Sequence, residues 1–311
     1  MAFKSYIILG TALLLSSILL QGQIDEPISS EHHLWMLKHH KQYYSALEQE
    51  YRRKVFEQNV KYIDEINQKQ NDFVLEINEF ADLTSEEFSI QYLQFDHQIT
   101  DPQAAQQFKD DSNLNQAIDW SQYAGSARNQ GQCASYIFFT LDLLDANNKI
   151  VNNIYSPLSQ QDLIDCTQQY GNKGCQGGFV SSSLNYVKEK GLAYEKDYPT
   201  TSTSGVCKNV QRTFRISDYI TVKNCDDLIK VLANSTVAVS VDATSWQFYR
   251  SGILTQCGTS LNHGALLVGI TNDGVWKLKN TWGSSWGESG FIRLGAGNTC
   301  GVCMNGQQQV F

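Results

Sequence analysis

Eight cysteines, and one histidine set apart from the other five, carry most of the chemistry available to this 311-residue chain. All the cysteines lie between Cys133 and Cys303, and the residues before Cys133 include none. Histidine is distributed the other way. His32, His33, His39, His40 and His97 are N-terminal, leaving His263 alone in the cysteine-bearing part. A thiolate beside an imidazole is a nucleophile–base pair for acyl transfer, because a nearby imidazolium lowers the thiol pKa. An even number of cysteines in one half of a secreted chain instead reads as a disulfide framework. The two readings compete for the same sulfur atoms.

The elements that position these residues follow from composition and pattern. With 24 Lys+Arg against 32 Asp+Glu, a net charge of −8 and a pI near 5.2, the chain lacks the basic footprint that nucleic acid or an anionic membrane requires. A 41% hydrophobic content with 22 Gly and only 4 Pro describes a packed globule. Lys4 and the apolar run Tyr6–Leu20 are too short to span a bilayer, which takes ~20 residues. They match a secretory signal over residues 1–23. That signal places the chain in the secretory pathway, extracellular or in a lysosome-like vacuole, with no stable membrane anchor.

From Ser30 to Lys69 the pattern is helical. Glu48, Arg52, Phe56, Asn59, Ile63 and Asn67 form one stripe, along which Glu48 and Arg52 can pair. Phe73–Phe80 alternates like a short strand, and Thr84 with Glu87 reads as a capping box. Residues 96–114 lack a period and read as a linker between an N-terminal unit (24–95) and a larger one (115–311). Tyr136–Asn148, Leu158–Ile164 and Val180–Lys190 are expected helices, and Val237–Leu294 a β-rich layer.

At this point the residues resemble a known family. Arg128–Thr140 (RNQGQCASYIFFT) is similar to the active-site segment of papain-like, cathepsin L-type cysteine peptidases. Leu158–Gly178 resembles their disulfide-bearing segment. Leu261–Gly269 (LNHGALLVG) and Lys279–Glu288 (KNTWGSSWGE) resemble their His and Asn motifs. The stripe from Glu48 to Asn67, continued by Asn78, Phe80 and Asp82, resembles the prosegment signature, with Glu76 where the family usually has Gly. The resemblance implies an α+β, two-lobed fold, one lobe helical and one β-rich and barrel-like, preceded by a helical, inhibitory-type prosegment. It implies no cofactor and no metal. The partners it implies are the chain's own prosegment and a peptide or protein in the cleft.

By the same resemblance, Gln130 is the oxyanion donor, His263 the base and Asn280 the orienting amide, with Trp282 shielding the His–Asn hydrogen bond. The nucleophile is missing. Where the family reads Cys-Gly-Ser-Cys-Trp, this chain reads Cys133-Ala134-Ser135-Tyr136-Ile137, which puts Tyr136 at the nucleophile position. His263 and Asn280 follow close to the ~130–150 residues expected. A phenol of pKa about 10 is a poor nucleophile and crowds the scissile carbonyl. Ser135, one position early, is expected to point elsewhere on the turn. Cys133 is implied to bridge Cys175, with Cys166–Cys207 and Cys257–Cys300, which leaves Cys225 and Cys303 for a fourth pair and no spare thiol.

Gly177 and Gly178 match the strip that pairs with an extended peptide. Phe179, Val180, Ser240, Leu261 and Asn305 match the walls and floor of the pocket for the second residue before the scissile bond, and Asn262 is placed with them. After Cys303 the chain ends MNGQQQVF, without the family's usual final strand. Three functions remain open from sequence: a catalytically silent homologue with a binding cleft, an active cysteine endopeptidase, and a structural disulfide-rich secreted protein.

Overall fold

The computed structural model describes residues 26–93, 117–201 and 203–311; the signal and the linker lie outside the described residues. The N-terminal unit holds helices α1 (Glu26–Lys38) and α2 (Ala46–Lys69), strand β1 (Phe73–Leu75) and helix α3 (Ser85–Tyr92). The long helical pattern is thus broken after Lys38, where His40 turns to φ 52°. Ser45 caps α2 through Glu48 N, while the Glu48 carboxylate accepts Tyr44 N at 3.0 Å. Glu48 is therefore not the partner of Arg52, which reaches across to Glu87 at 2.7 Å. Thr84 and Glu87 form the capping box that their spacing suggests. The expected strand over Phe73–Phe80 keeps only its first three residues, because Asn78 and Phe80 turn inward instead.

Beyond β2 (Ile118–Asp119), the helical lobe is built from α4 (Ser135–Asn152), α5 (Gln160–Cys166) and α6 (Val180–Lys190). The second lobe contains β3 (Asp218–Val222), α7 (Cys225–Leu232), β4 (Val237–Val241), β5 (Tyr249–Leu254), β6 (His263–Ile270), β7 (Trp276–Lys279), β8 (Phe291–Leu294) and β9 (Gly306–Val310). The sheet runs β1-β5-β8-β7-β6-β4-β9-β3, so the prosegment contributes the edge strand β1, antiparallel to β5. This is the two-lobed α+β arrangement with a preceding helical unit.

Each lobe has its own apolar core. One is centred on α4 with Leu163, Leu184 and Tyr198. The other joins Trp246, Trp282 and Trp286 to the prosegment residues Phe56, Phe80 and Phe88. Because β6 is buried along its whole length, its apolar run has no polar alternation. The C-terminal MNGQQQVF does form a strand, β9, between β3 and β4. Its buried glutamines are satisfied: Gln308 Nε2 donates to the carbonyls of Val231, Ser235 and Thr236, and Gln309 Oε1 accepts from Asn147 Nδ2.

Four disulfides tie the chain: Cys133–Cys175, Cys166–Cys207, Cys225–Cys303 and Cys257–Cys300. No free cysteine remains. Among the described residues, no helix is long and apolar enough to cross a membrane.

Candidate active site

His263 opens β6, and Asn280 follows the last residue of β7. The antiparallel pairing of these strands brings the two side chains together, with His263 Nε2 at 2.8 Å from Asn280 Oδ1. Asn280 Oδ1 also accepts the Thr281 N–H at 2.8 Å. That second donor fixes the amide's orientation, so Nε2 is the protonated ring nitrogen and Nδ1 carries the lone pair. Nδ1 is buried and has no hydrogen-bond partner. Burial brings the His263 pKa down to about 4, against the smaller upward pull of the Asn280 hydrogen bond.

Trp282 packs against the imidazole at a centroid distance of 4.9 Å, and Trp246 meets it edge-on at 6.1 Å. The prosegment adds a second layer. Phe80, Phe88 and Tyr92 stand edge-on over Trp282 at 5.9, 5.1 and 6.5 Å. Gln130 sits across from this pair. Its Oε1 accepts the Thr281 hydroxyl at 2.6 Å, and its Nε2 donates to Cys133 O at 3.2 Å and to Tyr92 O at 3.3 Å. A prosegment carbonyl therefore takes the donor that the resemblance assigns to an oxyanion.

The sequence reading passed over Thr281, which links Gln130 to Asn280 by side chain and backbone. Its only signal was its place between Asn280 and Trp282. It also missed a buried charge cluster behind the site. Lys279, 1% exposed, pairs with Asp142 of α4 at 3.0 Å and donates to Ala124 O at 2.6 Å. Arg128 pairs with both Asp142 and Asp145, at 2.7 and 2.5 Å. These pairs join α4 to β7 one residue before Asn280.

Tyr136 is 1% exposed and turns into the helical lobe. Its hydroxyl donates to Gly174 O at 3.0 Å, and burial pushes its pKa up. A Cβ built on Gly178 would lie 2.9 Å from the phenol ring and 2.4 Å from Asn172 Oδ1. Gly178 is thus the residue that admits a side chain beneath the Gly177–Gly178 strip. The expectation that Tyr136 crowds the scissile carbonyl does not match this orientation.

The other expected cleft residues fall in several places. Ser240 of β4 pairs in register with Gly264, beside His263, and its hydroxyl accepts Asn305 Nδ2 at 3.1 Å. Phe179 and Val180 are buried at the start of α6, where Phe179 N donates to Asn172 Oδ1. Leu261 is half-buried against Gly301. Asn262 is committed to a turn, accepting Ala243 N at 2.8 Å and donating to Thr244 Oγ1 at 2.7 Å. A pocket of about 580 Å³ lies beside Gln130 and the Cys133–Cys175 bridge, lined also by Gln160 and Ser204.

Two family models match the chain: the papain family cysteine proteases over residues 114–310 and the cathepsin propeptide inhibitor domain over residues 32–88. The chain belongs to the papain family. Cathepsin L 1 of Paramecium tetraurelia is 41% identical to it over 281 residues, covering 86% of this chain and 88% of the relative. Chymopapain of Carica papaya is 36% identical, covering 86% of this chain and 82% of the relative. Among solved structures, a recombinant stem bromelain precursor superposes with a TM-score of 0.82 at 29% identity, covering 92% of this chain and 99% of that one. Digestive procathepsin L 3 of Tenebrio molitor larval midgut gives 0.79 at 29% identity, over 91% and 99%. This papain-family chain thus resembles precursor forms along nearly its whole described length.

Proposed function

We propose that this papain-family protein has given up thiol catalysis and keeps a peptide-binding cleft that its own prosegment closes. The observation that carries this reading is the state of sulfur: every cysteine is in a disulfide, and no thiol remains to face His263. The intact His263–Asn280–Thr281–Gln130 network supports a cleft that still has its polar lining. The relatives are named as cathepsins and plant proteases, so the occupant is expected to be an extended peptide. Phe179, Val180 and Leu261 favour an apolar or aromatic side chain beside Ser240. The apolar N-terminal run supports the reading of a secretory signal, with the protein outside the cell or in a lysosome-like vacuole.

The test is a comparison of binding with turnover once the prosegment has been removed from the folded chain. A thiol-directed epoxide should leave the protein unlabelled. Turnover should fall below that of a thiol relative by about 10⁴ to 10⁶, as when one member of a nucleophile–base pair is lost. An extended peptide with an aromatic second residue should bind. Epoxide-sensitive cleavage would restore the active-endopeptidase reading, and absence of any peptide binding would favour a purely structural role.

A further inference from the structure

Asn234-Ser235-Thr236 is the only Asn-x-Ser/Thr triplet in the 311 residues, and such a triplet is the acceptor for an N-linked oligosaccharide in a secreted chain. An asparagine between two elements is also common for its turn geometry alone, so the spelling by itself does not decide. The triplet joins α7, which ends at Leu232, to β4, which starts at Val237, and within it the side chains divide. Asn234 is exposed, whereas Ser235 is 5% and Thr236 0% exposed. Asn224, at the other end of the same helix, shows what a structural asparagine does: its Oδ1 caps α7 by accepting Asp227 N at 2.8 Å. The Asn234 amide has no such duty, and its Nδ2 makes a long contact back to Lys230 O at 3.4 Å.

Thr236 is held from two sides. From α4, Asn147 Oδ1 accepts the Thr236 N–H at 2.9 Å and the Thr236 hydroxyl at 2.6 Å, and its Nδ2 donates to Thr236 O at 3.0 Å. From β9, Gln308 Nε2 donates to Ser235 O and Thr236 O at 3.0 and 3.2 Å. The hydroxyl that makes the triplet an acceptor is therefore shut away in the folded protein. Order of synthesis removes the conflict. Gln308 lies 72 residues beyond Thr236, and β6 and β9, the strands that flank β4, are also made later. At about 5–20 residues per second, a growing chain leaves Thr236 without Gln308 for about 4–14 s. During that interval β4 is not yet sealed between its neighbours.

The triplet also lies away from the cleft. β4 runs from Val237, opposite Leu267, to Val241, opposite His263, so Asn234 stands beyond the end of the strand that is remote from the imidazole. The rise from Val237 to Val241 alone is about 13 Å. Four strands separate β4 from the prosegment strand β1. A bulky sugar on Asn234 is thus compatible with an occupied cleft and with the docked prosegment.

We propose that Asn234 is a modification site carrying an N-linked oligosaccharide, attached during translocation and before Thr236 docks on Asn147. The inference rests on the secretory reading of residues 1–23 and not on the state of the cleft. The co-substrate is an oligosaccharide joined to a lipid diphosphate. Asn234 Nδ2 attacks the anomeric carbon of the first sugar and the C–N bond forms. The C–O bond to the diphosphate breaks, and the lipid diphosphate leaves with the bonding electron pair. One Nδ2 proton passes to a base of the transferase, and the product is a neutral glycosyl amide. Once folding is complete the Thr236 hydroxyl serves Asn147 instead. One residue acts first as a recognition element and then as a tie between α4 and β4.

The test translates the full chain in the presence of rough microsomes, with residues 1–23 as they stand and, in parallel, replaced by a proven secretory signal. Translocation is read by protection from added protease, and transfer by a discrete mass step that a peptide N-glycosidase removes. Peptide mapping of the released chain should place the resulting aspartate at position 234. The step is expected to vanish in Asn234→Gln and in Thr236→Val, and to persist in Thr236→Ser. Because transfer precedes packing, this readout holds whether or not a variant folds. For the ordering, chain made in a host without the transferase is given to solubilised transferase and lipid-linked oligosaccharide. The folded, oxidised protein should be modified at least about 100-fold more slowly than reduced and alkylated chain, because Thr236 must first break three buried hydrogen bonds to Asn147. A translocated chain without the mass step overturns the site. Equal rates for the two forms overturn the ordering. If the native leader leaves the chain unprotected while the replaced leader gives protected, modified chain, the secretory reading fails and the acceptor site stands.

Discussion

At the scale of the residue, His263 sets the behaviour of the site. Its imidazole is held neutral by burial, with a pKa of about 4 in the folded chain against 6.5 when exposed. The unfolded chain therefore binds the extra proton first as pH falls. Stability from this group is fully present above pH 6.5 and is lost as pH drops from 6.5 toward 4. The loss amounts to roughly 3 kcal/mol by pH 4.5. His32 and His39 are lowered by burial as well and act in the same direction, so the test is a difference between proteins. Urea unfolding at pH 7.0 and 4.5 should show a smaller acid loss in His263→Gln than in wild type. An equal loss in both would remove His263 from the account.

At the scale of the element, the prosegment docks by backbone pairing and amide clamps more than by charge. β1 pairs with β5, Asn78 Nδ2 donates to Gln247 O at 2.7 Å, and Gln247 Nε2 returns to Phe80 O and Leu83 O. Asn59 and Asn67, two members of the helix stripe, hold Ala81, Leu83 and Leu75 by their backbones. Their side chains face the 75–83 segment, which is why the stripe mixes amides with Phe56 and Ile63. Helix α3 then lays Phe88, 1% exposed, over Trp282. Phe88→Ala removes that ring and is expected to cost about 3–5 kcal/mol of packing. A fluorescent cleft peptide should bind the full-length variant at least about tenfold more tightly, and the prosegment-free form unchanged. Unaltered affinity in the full-length variant would mean that α3 does not close the cleft.

At the scale of the whole molecule, the two lobes are joined through buried charge beside the site. Asp142 and Lys279 are both nearly inaccessible, so removing one strands the other. Asp142→Leu alone is expected to destabilise the chain by about 3–5 kcal/mol, while Asp142→Leu with Lys279→Met should recover most of that loss. Denaturant unfolding of the three proteins measures it, and an additive double variant would show that the pair does not couple the lobes.

The sequence by itself determined the features that depend on residue type and short spacing. These include the Thr84–Glu87 capping box and the α6 helix over Val180–Lys190, whereas the cysteine pairs and the meeting of His263 with Asn280 are legible only through the resemblance to papain-like peptidases. Each is local chemistry or a motif whose geometry the fold repeats. Tertiary structure decided what depends on direction. A helix turns about 100° per residue, and residue type alone does not say whether the side chain at position 136 turns to the cleft or into the helical lobe. Only the packing of Tyr136 under Gly178 and its hydrogen bond to Gly174 resolve that choice. Similarly, Gln307–Gln309 have little strand preference, yet become a central strand because Asn147 and the carbonyls of Val231, Ser235 and Thr236 wait in the core to satisfy them. Those partners lie far away in sequence, and the fold alone brings them within reach.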